Sequence, residues 1–350
     1  MPTGAPSASD RSPAATHGTL DTNRALGGLA LAATVAVALG SMAAAANGHR
    51  FGFGSVTARL DVGVTVLFVL IGYLLYLPFA RALTGGTSPP GVRRYARTRP
   101  VQLLPAYWVA LLVAAFVYER AQPMTAVDLA QYLTLTNIYS PGNLLGPIPV
   151  AWAVATAAAF CVFVPALAWA ISRGPSGDEA RRVRTQWVGL VAMVAVAIVF
   201  RAWVVSSDAA ELTVIARKSW LFNHLDTFAA GMALALVQVV DERRRARGAA
   251  NAPTAAIWRR ASLVAAAVAA VAFGAVVALG LSRQALVLSA PQEWARHLLY
   301  LAVGTGAVAA VIAGTRAPWF AAAERRRRCR GAWAGGPPAS PTGCCCGTAW

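Results

Sequence analysis

The chain has 350 residues, of which 57% are hydrophobic and only 13% charged, and its mean hydropathy is +0.54. A soluble domain carries about 25% charged residues, so a water-soluble globular enzyme is excluded. The net charge of +17 sits in short arginine clusters between long Ala/Val/Leu runs. That is a bilayer pattern, in which the clusters read as topology signals, and no nucleic-acid partner is expected.

Residues 1–23 are polar and rich in Pro, Ser, Thr and Ala, and read as a disordered arm. Eight apolar stretches follow. They are Ala25–Ala46, Val62–Ala80, Leu103–Tyr118, Val150–Ile171, Trp187–Val205, Trp220–Val240, Ala261–Leu281 and His297–Gly314. Several are close to the minimum of about 17 residues that crosses the hydrocarbon core. The fold expected is all-α: a polytopic transmembrane bundle of about eight spans occupying residues 24–315. Its Ala and Gly content suits close helix contact. Residues 316–350 turn to Arg, Gly, Pro and Cys without periodicity. They read as a basic low-complexity tail, or as a change of reading frame. The Cys344, Cys345, Cys346 run lacks the spacing of a zinc site, and no metal is expected.

The connectors sort by charge. Arg93, Arg94, Arg97 and Arg99 fall between spans two and three; Arg173, Arg181, Arg182 and Arg184 between four and five; Arg243, Arg244, Arg245 and Arg247 between six and seven. The alternate connectors hold fewer basic residues. Arginine favours the cytoplasmic side, so both termini are expected there. The long connector Glu119–Pro149 has two readings, a cap over a site or a solvated link.

Five segments in order resemble the membrane-bound acyltransferase-3 family. They are LDTNRALGGLALAATV from Leu20, GVTVLFVLIGYLLYLPFARAL from Gly63, RRYARTRPVQLLPAYWVALLV from Arg93, PVAWAVATAAAFCVFVPAL from Pro149 and HLDTFAAGMALAL from His224. The resemblance implies a plasma-membrane enzyme that passes an acyl group, often acetyl, from acyl-coenzyme A to a hydroxyl of a surface carbohydrate or lipid-linked acceptor. No bound cofactor is implied. Such a transfer needs a base for the hydroxyl proton, donors for the oxyanion and cations for the donor's phosphates.

By the resemblance, an arginine early in span one precedes the family's histidine base by eleven positions, about 16 Å along one helix face. The arginine is Arg24, but the histidine position holds Val35. The fourth-span motif keeps Trp152, yet its glutamate position holds Ala157. The second-span motif has Thr65 and Ile71, and the cytoplasmic arginine pair keeps Arg99 but loses its partner to Gln102. Frame residues persist: Asp21, Arg24, Gly63, Gly72, Pro105, Tyr107, Trp152, Asp226 and Gly231. No catalytic residue of the family is therefore intact, and activity is expected to be impaired. The alternatives are an inactive relative with a binding or assembly role, and a small-solute transporter.

Arg24, Arg97, Arg99, Tyr107, Trp152 and Asp226 are the candidate substrate-binding residues. Each has a plainer reading. Arg24 can snorkel to headgroups, Arg97 and Arg99 can be topology signals, and Tyr107 and Trp152 can belong to the aromatic belt. Asp226 either pairs with an arginine of a neighbouring span or lies wet at the interface beside His224. His297, at the start of span eight, reads as interfacial.

Overall fold

The computed structural model describes residues 13–45, 54–57, 59–91, 95, 104–105, 107–114, 116, 125–143, 150–174, 177–248, 255–281 and 288–316. Among these, every regular element is helical. They include α1 (Pro13–Ala45), α2 (Gly54–Thr57), α3 (Val62–Gly85), α4 (Ala126–Leu133), α5 (Ala151–Ser172), α6 (Glu179–Val205), α7 (Glu211–Lys218), α8 (Leu225–Ala246), α9 (Ala255–Ala278) and α10 (Ala290–Thr315), with short 3-10 turns between some of them. Six are long and apolar enough to cross a membrane, or seven if the bent pair of α7 and the helix from Leu221 to Ala246 is one span. These seven answer to all the expected spans except the third. The sixth is broken rather than straight, with a 59° bend between its halves. α1 begins at Pro13, inside the stretch read as a disordered arm.

The third expected span, 103–118, lies partly outside the described residues; of it, 104–105, 107–114 and 116 are helical. Tyr95 packs against the Phe79 ring at 5.3 Å, whereas Tyr107 donates to the Tyr132 carbonyl and clusters with Ala151 at the other end of the molecule. The basic residues Arg93, Arg94, Arg97 and Arg99, and the tail from residue 317, lie outside the described residues.

α3 is the central strut, with 15 buried residues. It crosses α8 where two glycines meet. A Cβ on Gly231 would stand 1.9 Å from the Val69 carbonyl oxygen, and one on Gly72 would stand 2.3 Å from that of Phe228. The helices touch backbone to backbone there, which only glycine allows. Aromatic rings fill the space around the crossing. Phe160 stacks on Phe228 at 3.9 Å and Phe68 stacks on Phe228 at 4.8 Å.

Two ends can be told apart by their contacts. At the Gly85 end, the hydroxyls of Thr22 and Thr315 bond at 3.1 Å, so α1 passes the last turn of α10 there. Arg243 pairs with Glu179 there at 3.1 Å, and Arg316 pairs with Asp241 at 3.0 Å. At the Val62 end, Tyr300 donates to Asp61 at 2.7 Å and Arg59 to the Val276 carbonyl at 3.2 Å.

A buried polar cluster at the Val62 end

The break between α7 and α8 supplies the polar groups. A broken helix exposes backbone donors and acceptors that must be satisfied inside the protein. In the first turn of α8, Asp226 is 5% exposed. Its Oδ2 accepts from Arg201 Nη1 of α6 at 2.9 Å, and its Oδ1 accepts from the Thr227 backbone N–H at 2.8 Å. Arg201, 3% exposed, also donates to the Asn223 carbonyl. Asp226 is therefore the paired residue of the two readings, and its arginine comes from the neighbouring span.

The same carboxylate meets His297 of α10, whose Nε2 lies 2.6 Å from Asp226 Oδ2. A carboxylate held ionised by Arg201 only accepts, so Nε2 carries the proton of the His297 ring. His297 does not begin its helix. α10 begins at Ala290, with a capping box between Ser289 and Gln292, and His297 lies two turns inside it. One turn earlier, buried Glu293 pairs with Lys218 at 3.2 Å and with Arg296 at 2.7 Å. Three helices and the break are thus pinned by charge at one level. A partner removed from such a pair leaves an uncompensated buried ion, at a cost of about 3–5 kcal/mol.

His224 closes the short turn Leu221–His224 that precedes α8. Its ring stacks on Trp152 at 5.5 Å between centroids and meets the edge of Phe68 at 5.1 Å. Its Nε2 is buried and has no partner among the described residues. The Lys218 backbone also acts on the ring, and with the ring proton on Nδ1 the Nε2 atom presents a lone pair.

The connector folds over this end rather than trailing into solvent. Thr125 and Asp128 form a capping box for α4. The Thr125 hydroxyl and backbone N–H, with the Asn143 amide, hold the Asp128 carboxyl below the usual aspartate range. Beyond α4, Ile138 is 1% exposed and its carbonyl accepts from Trp220 Nε1 at 3.1 Å. Asn137 is fully buried, and neither atom of its side-chain amide has a partner among the described residues.

The expected site residues do not all gather here. Trp152 does, through His224. Tyr107 is buried but acts as a strut, its hydroxyl 3.0 Å from the Tyr132 carbonyl. Arg24 and Val35 are exposed on α1, whose packed face carries Leu26, Ala33 and Val37. Ala33 and Val37 bear on Gly63, so Val35, on the opposite side of the helix, points away from α3. Ala157 is buried in α5. Arg97 and Arg99 lie outside the described residues. Sequence reading missed Arg201, His297 and Glu293 as partners; the Ser289/Gln292 capping box was the available sign that α10 starts early.

The Gly85 end holds a cavity of about 420 Å³, lined among others by Gly86, Thr87, Ser88, Ser172, Arg182 and Thr185. Arg182 Nε donates to the Thr84 carbonyl at 3.1 Å, which steadies the guanidinium at the cavity wall. Among the described residues, no three His, Cys, Asp or Glu side chains gather as a metal site.

The family model described as Acyltransferase domain matches residues 27–324, most of the chain. That stretch contains both the polar cluster and the cavity. No curated protein and no solved structure matches the chain.

Proposed function

The chain belongs to the acyltransferase-3 family, and from that premise we propose that it moves an acyl group, acetyl in the simplest case, from acyl-coenzyme A to a hydroxyl of a surface carbohydrate or lipid-linked acceptor. The observation that carries this reading is the family match over residues 27–324 of a multi-pass helical bundle. The basic Gly85 end faces the cytoplasm of a plasma-membrane protein under the positive-inside rule. Arg81, Arg173, Arg182, Arg243 and Arg259 all belong to that end. The donor enters there. The cavity beside Arg182 suits a phosphate-bearing ligand, because it combines a guanidinium with hydroxyls from Thr87, Ser88 and Thr185.

The acceptor meets the acyl group toward the Val62 end, where the aromatic rings and buried polar groups lie. The family base position holds Val35 and the glutamate position Ala157. A positioned base contributes about 10²–10⁴-fold, which is the deficit expected unless another residue of the chain takes that role. The same two substitutions favour a second reading, a relative that binds donor or acceptor without turnover.

The test is transfer by purified protein in proteoliposomes, from radiolabelled acetyl-coenzyme A to an extracted cell-surface glycan fraction. Label in the glycan above protein-free vesicles supports the enzyme. Label absent from both the parent chain and a Val35→His variant, with donor still bound, supports the non-catalytic relative.

A further inference from the structure

His224 is the one imidazole of the cluster whose free nitrogen is walled in. We propose that it is the base of this chain, taking the acceptor's hydroxyl proton that residue 35 cannot take. The proposal rests on the acyltransferase reading and assigns a catalytic residue within it.

With the ring proton on Nδ1, Nε2 is an acceptor, and it is buried without a partner among the described residues. A buried polar atom left unpaired is destabilising by about 1–3 kcal/mol. A ligand hydroxyl donating to Nε2 removes that penalty and sets up proton transfer along the same hydrogen bond.

The surroundings suit a sugar-like acceptor. The ring lies between Trp152 and Phe68, which come from two of the segments that carry the family pattern. Around the α7–α8 break stand further unsatisfied buried atoms: both amide atoms of Asn137 and Asn223 Oδ1. The Trp220–Ile138 hydrogen bond ties the Asn137 turn to that break. Donors and acceptors without partners on two elements match a ligand bearing several hydroxyls.

His297 is a weaker claimant, because its Nε2 is committed to Asp226. Its place is behind the base. The groups whose charge bears on the His224 ring are Asp226 of its own segment, Arg201 of α6 and His297 of α10.

In the step proposed, the acceptor oxygen attacks the thioester carbonyl carbon while its proton passes to His224 Nε2. The carbon–sulfur bond then breaks, leaving an ester on the acceptor and a thiolate on coenzyme A. The imidazolium returns its proton to that sulfur, so the neutral ring is regenerated and no other reactant is consumed.

The test compares the full chain with His224→Gln, His224→Asn and His224→Ala in proteoliposomes, using acetyl-coenzyme A and the glycan fraction. The expected result is a loss of about 100-fold or more in kcat for each variant, with donor KM and melting temperature little changed. Added imidazole restores part of the His224→Ala rate, and the acid limb of the parent's pH–rate profile is absent from the variants. In the unmutated protein, diethyl pyrocarbonate on His224, located by peptide mass spectrometry, stops transfer, and glycan protects against it. Variants within threefold of the parent overturn the proposal, as does modified His224 with undiminished transfer. So does a loss that imidazole does not rescue, which marks a structural ring. If the parent is inert while Val35→His transfers, His224 is not a base but the acyltransferase reading survives; if both are inert, both fall.

Discussion

Replacing Gly231 by alanine adds one methyl group at the tightest point of the bundle. The new Cβ would stand 1.9 Å from the Val69 carbonyl oxygen and 2.8 Å from the Tyr73 amide nitrogen. Ordinary carbon–oxygen contacts begin at about 3.3 Å, so α3 and α8 must part by roughly 1.4 Å. Neither obstacle is a flexible side-chain tip; both are backbone atoms inside helices. A radial gap of 0.5–1 Å already forfeits about a quarter to a half of a dispersion contact, and Phe228, Met232 and Tyr73 lie beside the crossing, each 1% exposed or less. Overpacking alone costs about 1–3 kcal/mol; with loosened neighbours we expect about 3 kcal/mol or more. At about 2–4 °C per kcal/mol for a domain of this size class, that lowers the melting temperature by roughly 6–12 °C. The assay is the monodisperse fraction in detergent after heating, measured by size exclusion. Gly274→Ala is the control, because a Cβ there meets nothing within 4 Å and gains helix propensity of up to about 1 kcal/mol. Equal melting of the two variants would refute the backbone crossing.

The Arg201–Asp226 pair calls for a double-mutant cycle. Arg201→Met and Asp226→Leu are each expected to cost about 3–5 kcal/mol, and together clearly less than their sum; additive losses in detergent unfolding would deny the pairing. Val35→His should leave acyl transfer unchanged in the radiolabel assay, because residue 35 points away from α3, and a rise of about 10²-fold would show that substrate reaches that side of α1. The Asp128 cap should respond to acid. Its carboxyl is held below the usual aspartate range when folded, so its stabilising contribution is complete above that range and is lost as pH falls through the lowered value. Hydrogen exchange, corrected for intrinsic rate, should quicken in α4 at strongly acid pH. It should not do so in an Asp128→Asn variant beyond that variant's own baseline.

Much of the architecture was legible because hydrocarbon-length apolar runs leave little choice of fold. Seven spans lie where hydropathy put them, and the frame glycines Gly72 and Gly231 prove to be the crossing of α3 and α8. Within the third expected span, Val109, Leu112, Val113 and Phe116 are apolar and exposed, as a lipid-facing helix side is. The start of α10 was read late. Its first turns contain Gln292, Glu293 and Arg296, which look like a connector until Lys218 is seen beside Glu293. Distance along the chain hid the rest. Asp226 could be suspected of seeking an arginine, but His297 is 71 residues away from it, and no local pattern links them. The walled-in Nε2 of His224 is likewise visible only once Trp152 and Phe68 are packed against the ring.

Sidedness offers the sharpest check on the enzyme as a whole. Sealed vesicles of both orientations can be given radiolabelled acetyl-coenzyme A outside, with glycan acceptor on the opposite face. Label should cross to the acceptor only when the Gly85 end, with its Arg182 cavity, faces the donor. Equal transfer in both orientations, or release of coenzyme A only from the Val62 side, would contradict a donor entering at one end and an acceptor waiting at the other.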